Sequence, residues 1–182
     1  MTRRLLAVLV AGALVAAPAV ASAQLSTAFS LAGGLAVPTG DLANGVKSGY
    51  NVAAGLDLGA PVIPFGVRVE VGYNSFSFKT GTAIPSGSLN ILSGTANAVL
   101  SLMPGIISPY VIGGLGMYRQ SASCSGCTST SETNFGFNGG GGIKFGLGGL
   151  STFAEIRYHA IPGDKAKGTN AQFIPLTFGV SF

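Results

Sequence analysis

Between residues 27 and 182, apolar side chains recur at every second position in eight separate segments, and this period of two constrains the fold more than any other feature. Successive side chains of a β-strand point to opposite faces, so the alternation marks strands and not helices. The segments run over 27–37, 50–58, 65–77, 89–102, 109–120, 134–146, 151–160 and 172–182. In the third, Val67, Val69, Val71 and Tyr73 alternate with Arg68, Glu70, Gly72 and Asn74. In the second, Val52, Ala54, Leu56 and Leu58 alternate with Asn51, Ala53, Gly55 and Asp57. The seventh sets Ala154, Ile156 and Tyr158 against Glu155, Arg157 and His159. Glycine falls inside these segments, as in Tyr110 to Tyr118 and Phe135 to Phe145, where a helix would lose about 1 kcal/mol per Gly relative to Ala.

Alternation alone fits both a soluble barrel and one that spans a membrane, so the fold turns on which face is inside. The polar face lacks the many charges expected of a sheet in water, because charged residues are only 9% of the chain and Gly, Ala, Ser and Thr fill much of that face. Its charges also balance, with Asp57, Glu70 and Glu155 against Arg68, Lys144 and Arg157. An interior network has this composition, whereas Arg or Lys facing lipid at mid-membrane would cost roughly 2 to 4 kcal/mol each. The apolar face is therefore expected outside. Phe29, Phe65, Phe145 and Phe182 are expected near one rim of it, and Tyr73, Phe135 and Tyr158 near the other. The fifth segment is ambiguous, because Tyr110, Ile112 and Tyr118 share its expected inner face.

The links between segments alternate in length. Pro38–Gly49, Phe78–Ser88, Ser121–Thr133 and Ile161–Ala171 are longer and polar, whereas Gly59–Pro64, Pro104–Ser108 and Leu147–Leu150 are short. Long loops outside and short turns in the periplasm are the pattern of an up-and-down outer-membrane barrel. The expected fold is all-β: an eight-stranded antiparallel up-and-down transmembrane β-barrel with both termini periplasmic. Eight strands enclose a space that side chains fill, unlike the aqueous channel of a 16- to 18-stranded porin.

The N-terminus adds export. Arg3 and Arg4 precede an apolar stretch from Leu5 to Val20, broken by Pro18 and ending in Ala21-Ser22-Ala23, which is the three-part pattern of a cleavable signal. Cleavage after Ala23 leaves 24–182 as one domain and removes Arg3 and Arg4, so that eight basic residues face six acidic ones. No basic stripe for nucleic acid remains.

Two groups could carry chemistry. Cys124-Ser125-Gly126-Cys127 has no second Cys pair or neighbouring His to complete a zinc shell, so a short loop disulfide is expected, with free thiols as the alternative. Glu70 and Glu155 could form an acid/base pair, but charge pairing with Arg68 and Arg157 is the plainer reading, since buried charges need partners. The run Gly139–Gly142 lacks a phosphate-loop pattern and reads as relief of crowding in a narrow barrel.

Four stretches carry a resemblance: Gly33-Gly34-Leu35-Ala36-Val37-Pro38-Thr39-Gly40-Asp41, Val67-Arg68-Val69-Glu70, Tyr110-Val111-Ile112-Gly113-Gly114-Leu115-Gly116, and the ending Leu176-Thr177-Phe178-Gly179-Val180-Ser181-Phe182. On these the chain resembles the OmpA/OmpX-like outer-membrane β-barrel superfamily over essentially all of 24–182. The resemblance implies an outer-membrane location, contact with outer-membrane lipid, and a filled barrel. It also implies that Phe178, Val180 and Phe182 form an assembly signal read by the barrel-assembly machinery. It carries over no catalytic residue and no cofactor. Arg157-Tyr158-His159 resembles the catalytic-histidine strand of lipid A deacylase barrels, but Ile161 stands where those enzymes have serine, and alternation points His159 into the lumen, where it is expected to join the charge network. The expected protein is a monomer with a structural or surface-interaction role through its outer loops, whose ligand the sequence does not name. A small pore, a lipid-acting barrel enzyme and a soluble periplasmic ligand-binding barrel are the alternatives.

Overall fold

The computed structural model describes residues 26–60, 63–79, 87–124, 130–163 and 170–182. Eight strands form within them: β1 (Ser26–Thr39), β2 (Gly49–Ala60), β3 (Ile63–Ser77), β4 (Gly87–Ser101), β5 (Ile107–Cys124), β6 (Thr130–Leu147), β7 (Leu150–Ile161) and β8 (Ala171–Ser181). Each pairs antiparallel with its sequence neighbours, and β1 pairs with β8 to close the barrel. At that seam Phe29 and Phe182 exchange backbone hydrogen bonds, N to O, of 2.8 and 2.9 Å.

The alternation of the sequence becomes two chemically different surfaces. Leu31, Val52, Val69, Leu115, Phe137, Ile156 and Phe178 stand exposed on the outside, whereas Arg68, Glu70, Asn97, Tyr110, Glu155 and Arg157 are buried inside. The ambiguity of the fifth segment is thereby resolved: Tyr110, Ile112 and Tyr118 all face the interior, with Val111, Leu115 and Met117 outside. Phe29, Phe65, Phe135, Phe145 and Phe182 are exposed on the outer face.

Two strands overrun their expected limits. The link placed at Ser121–Thr133 is largely strand, since β5 continues to Cys124 and β6 begins at Thr130, with Ala122 paired to Thr130. Ser and Thr read as loop by polarity, but they suit a sheet that leaves the apolar belt and enters water. Each of these strands has 18 residues, well beyond the roughly 9 to 11 that cross a membrane, so the hairpin projects past the rim. The disulfide expectation falls on Cys124 and Cys127, and both side chains lie outside the described residues, as does the Ala23 cleavage site.

At the opposite end β6 turns into β7 through Gly148 and Gly149, whose φ angles of 60° and 95° suit a tight two-residue hairpin. Wall pairing lapses once between β7 and β8, at Arg157 and Tyr158. They lie opposite Pro175 and Ile174, and Pro175 has no N–H to donate.

Glycine clears space inside for larger neighbours. A Cβ on Gly142 would sit 2.6 Å from Cζ and Oη of Tyr110 and from the Ala154 carbonyl, whereas one on Gly94, on the outer face, would meet nothing within 4 Å. Gly142→Ala is thus expected to cost about 1–3 kcal/mol by overpacking. Gly94→Ala should be neutral or slightly stabilising. Chemical unfolding of both variants in lipid vesicles checks the difference.

Candidate functional site

The inward residues of β3, read along the strand, are Arg68, Glu70, Gly72, Asn74 and Phe76, and they define three layers. The first is ionic. Asp57 and Arg68 face each other across β2 and β3, and Arg68 Nε bonds Asp57 Oδ1 at 2.6 Å. Arg68 Nη1 also spans the interior to Glu155 Oε2 at 2.9 Å, while Arg157 Nε holds Glu155 Oε1 at 2.7 Å. Arg157 Nη2 reaches back to Glu70 Oε1. Tyr110 donates its hydroxyl to Glu155 Oε2 at 2.7 Å, and the Arg68 guanidinium lies 5.2 Å from the Phe153 ring centroid. Glu155 thus binds both arginines and a tyrosine, and β3 is joined to β7 across the barrel. Low dielectric strengthens such pairs and equally penalises any member left alone.

The second layer is amide. Asn51 donates to Asn74 at 2.9 Å, Asn138 to Asn97 at 2.9 Å, and Asn97 to the Thr95 hydroxyl at 2.9 Å. The third layer is apolar and closes one end. Ala36, Val46, Phe76, Ile91, Tyr118, Ile161, Ala171 and Phe173 form one buried cluster. The short helix α1 (Leu42–Gly45), between β1 and β2, carries the chain over this end and delivers Val46 into the cluster. It is tied down by the Val46–Phe78 bridge, by Lys47 N–H to Ser77 O at 2.8 Å and by Lys79 N–H to Gly45 O at 3.0 Å.

Two residues assigned to the charge network stand apart from it. Lys144 is on the inner side near Asp57, Ser26 and Ser101, but it takes part in none of the four ion pairs among the described residues. Its place on β6, opposite Ser108 and Phe153, puts it nearer the short-turn end than Glu70 of β3. His159 belongs to the apolar layer. Its ring stacks on Phe173 with centroids 4.8 Å apart and an interplanar angle of 12°, and its Nδ1 lies 3.0 Å from the Tyr118 hydroxyl. Burial among aromatics, and not a charge partner, positions it. Ile161, two residues on, is fully buried in the same cluster.

Sequence reasoning missed the apolar layer. Tyr118 gave a signal, as an aromatic on a face otherwise small and polar, but Phe76 and Phe173 lie near strand ends where alternation no longer tells lumen from loop. Among the described residues no group of three or more His, Cys, Asp or Glu could hold a metal ion.

A closed ring of eight strands with an apolar exterior and an ionic interior is the arrangement of small outer-membrane barrels. The family model for the outer membrane protein beta-barrel domain matches residues 6–182. The chain belongs to this family. Neisserial surface protein A is similar in fold, with a TM-score of 0.64 and 18% identity, covering 86% of this chain and 97% of that one. OprG, an outer membrane protein from Pseudomonas aeruginosa, gives 0.54 and 16%, covering 86% and 96%. Ail, the attachment invasion locus protein of Yersinia pestis, gives 0.50 and 18% over 86% and 99%, in a complex with the heparin analogue sucrose octasulfate. At these identities the likeness is one of fold. No curated protein matches the chain. As a member of the outer-membrane barrel family, the protein carries the exposed apolar belt and the secluded charges that suit a barrel crossing a membrane.

Proposed function

We propose that this outer-membrane barrel works as a sealed scaffold, which presents the end bearing α1 and the projecting β5–β6 hairpin for surface interaction. The observation that carries the reading is the carboxylate of Glu155, held by Arg68 and Arg157 from opposite sides of the lumen. An interior crossed by ion pairs and capped by the Phe76, Tyr118 and Phe173 cluster favours a filled barrel over a diffusion path. His159 is stacked against Phe173, and its partner is Tyr118, so a structural role accounts for it better than hydrolysis does. In this reading the signal is removed after Ala23, Phe178, Val180 and Phe182 guide assembly, and the barrel is a monomer with both termini in the periplasm.

Fractionation of expressing cells, followed by gel electrophoresis with and without boiling, tests the scaffold. Recovery in the outer membrane with heat-modifiable mobility is expected, together with no steady conductance in planar bilayers. Stable conductance that Arg68→Ala or Glu70→Ala alters would replace the sealed scaffold by a small pore.

A further inference from the structure

The outward face of the wall is almost without charge. Among the described residues, Arg119 on β5 is the one charged side chain at an outward position of the eight strands. The register fixes its level. Arg119 lies opposite Leu92 on β4 and Thr133 on β6. Toward the short turns, the next outward pair is Met117 and Phe135, 53% and 70% exposed. Toward the end bearing α1 it is Ser121 and Ser131, with Asn90 beside them. The guanidinium therefore stands where the apolar belt gives way to hydroxyls and an amide. It is exposed, its Nη2 donates to the Ser131 hydroxyl at 3.4 Å, and it joins none of the ion pairs among the described residues. Glu132 lies opposite the buried Gln120 and so faces the other way. Beneath Phe135 the same two strands form a trough: after Leu115 and Phe137, Gly113 faces Gly139 and Val111 faces Gly141. A Cβ on Gly139 would meet only the Ile112 carbonyl, at 3.9 Å, so the wall itself does not require glycine there.

We propose that the outward face of β5 and β6 is a lipid-binding site, in which Arg119 holds the phosphate of an outer-leaflet headgroup and the glycine trough below receives an acyl chain. The site is continuous with the apolar belt that suits lipid, and it takes from the reading above that the end bearing α1 is the outer one. A cation is tolerated on this face only near the interface, where its stem lies over apolar surface and its head reaches polar groups. A phosphate supplies the counter-charge that the protein does not. The planar guanidinium offers two parallel N–H donors to phosphate oxygens, a geometry that a lysine ammonium lacks. The exposed hydroxyls of Ser131 and Thr133 stand at the same level and can donate to the same headgroup. With Gly113, Gly139 and Gly141 the belt has no side chain at three adjoining outward positions, so a saturated chain can lie against the backbone there.

The test uses the full barrel in uncharged maltoside micelles, titrated with bisphosphorylated lipid A, with the same lipid after removal of its phosphates, and with inorganic phosphate. Binding is read from the side-chain Nε–H resonance of Arg119. Residues 24–182 hold only Arg68, Arg119 and Arg157, and the other two are locked in the interior, so the signal is readily assigned. A saturable shift with the phosphorylated lipid is expected, with at least tenfold weaker binding of the dephosphorylated form and no shift at millimolar inorganic phosphate. Retention of lipid through native mass spectrometry compares the variants. Arg119→Gln should lose at least tenfold in affinity and Arg119→Lys at least threefold, whereas Gly139→Leu, which fills the trough, should lose at least threefold with the Arg119 signal unchanged in the free barrel. All three should keep heat-modifiable mobility. Equal binding of the two lipids by the parent, or undiminished binding by Arg119→Gln, would overturn the site. A shift with inorganic phosphate as large as that with lipid would overturn the lipid as its source, and undiminished binding by Gly139→Leu would overturn the trough. Thiol labelling of the Ser131→Cys variant on intact cells judges separately which end faces outward, since the micelle titration does not depend on it.

Discussion

Replacing Glu155 by Ala should destabilise the barrel by about 3–5 kcal/mol, the largest effect expected of a single change to its interior. Glu155 is 3% exposed and receives Arg68, Arg157 and the Tyr110 hydroxyl, so its loss leaves Arg68 Nη1, Arg157 Nε and that hydroxyl without their acceptor in a secluded space. Asp57 and Glu70 each remain with one arginine, so the loss falls on the donors that only Glu155 accepts. Glu155→Gln keeps the volume and an acceptor for Tyr110 but not the charge, so most of the loss should persist. Lys144→Ala, outside the ion pairs, should do far less. Reversible urea unfolding in vesicles measures all three variants. A Glu155→Ala barrel as stable as the parent would mean that water satisfies the donors here assigned to this carboxylate.

Arginine in place of Leu115 should cost about 2 to 4 kcal/mol. Leu115 is 64% exposed, and its register neighbours Ala96 and Phe137 carry the same outer surface around the wall. At this level no headgroup or water is near enough to solvate a guanidinium, and a rigid strand gives it little room to bend toward the interface. The same substitution at Ser121, in the part of β5 that projects beyond the rim, should cost only about 0 to 1 kcal/mol. The contrast is read by unfolding in vesicles and by the fraction of unheated protein with folded mobility. Tolerance at Leu115 equal to that at Ser121 would place water against the apolar face and so invert the barrel.

Much of this architecture was legible because alternation reports faces directly. Val67 to Asn74 and Ala154 to His159 each state in a few residues which side chains share a surface, and closure into a ring then follows from there being eight such segments. What alternation does not report is height along the barrel axis. Arg68 lies two residues from Glu70 on one strand, yet it pairs with Asp57 and Glu155, because strand stagger sets who meets whom. His159 was grouped with the charges for the same reason: it follows Arg157 on one face but sits a layer higher, against Phe173. The Ser/Thr stretches around Ala122 and Thr130 were read as loop because polarity was taken for irregularity. A sheet leaving the membrane keeps its hydrogen bonds and changes only its side chains.

The mutual bonds of Phe29 and Phe182 also govern time. A ring closed by its first and last strands has no partial version, since everything up to β7 leaves both β1 and β7 with unsatisfied edges and an oily exterior. Contacts this distant in sequence form late and slowly. Until the eleven-residue β8 is in place the chain is therefore expected to stay an open ribbon with adhesive edges, and closure waits on that strand.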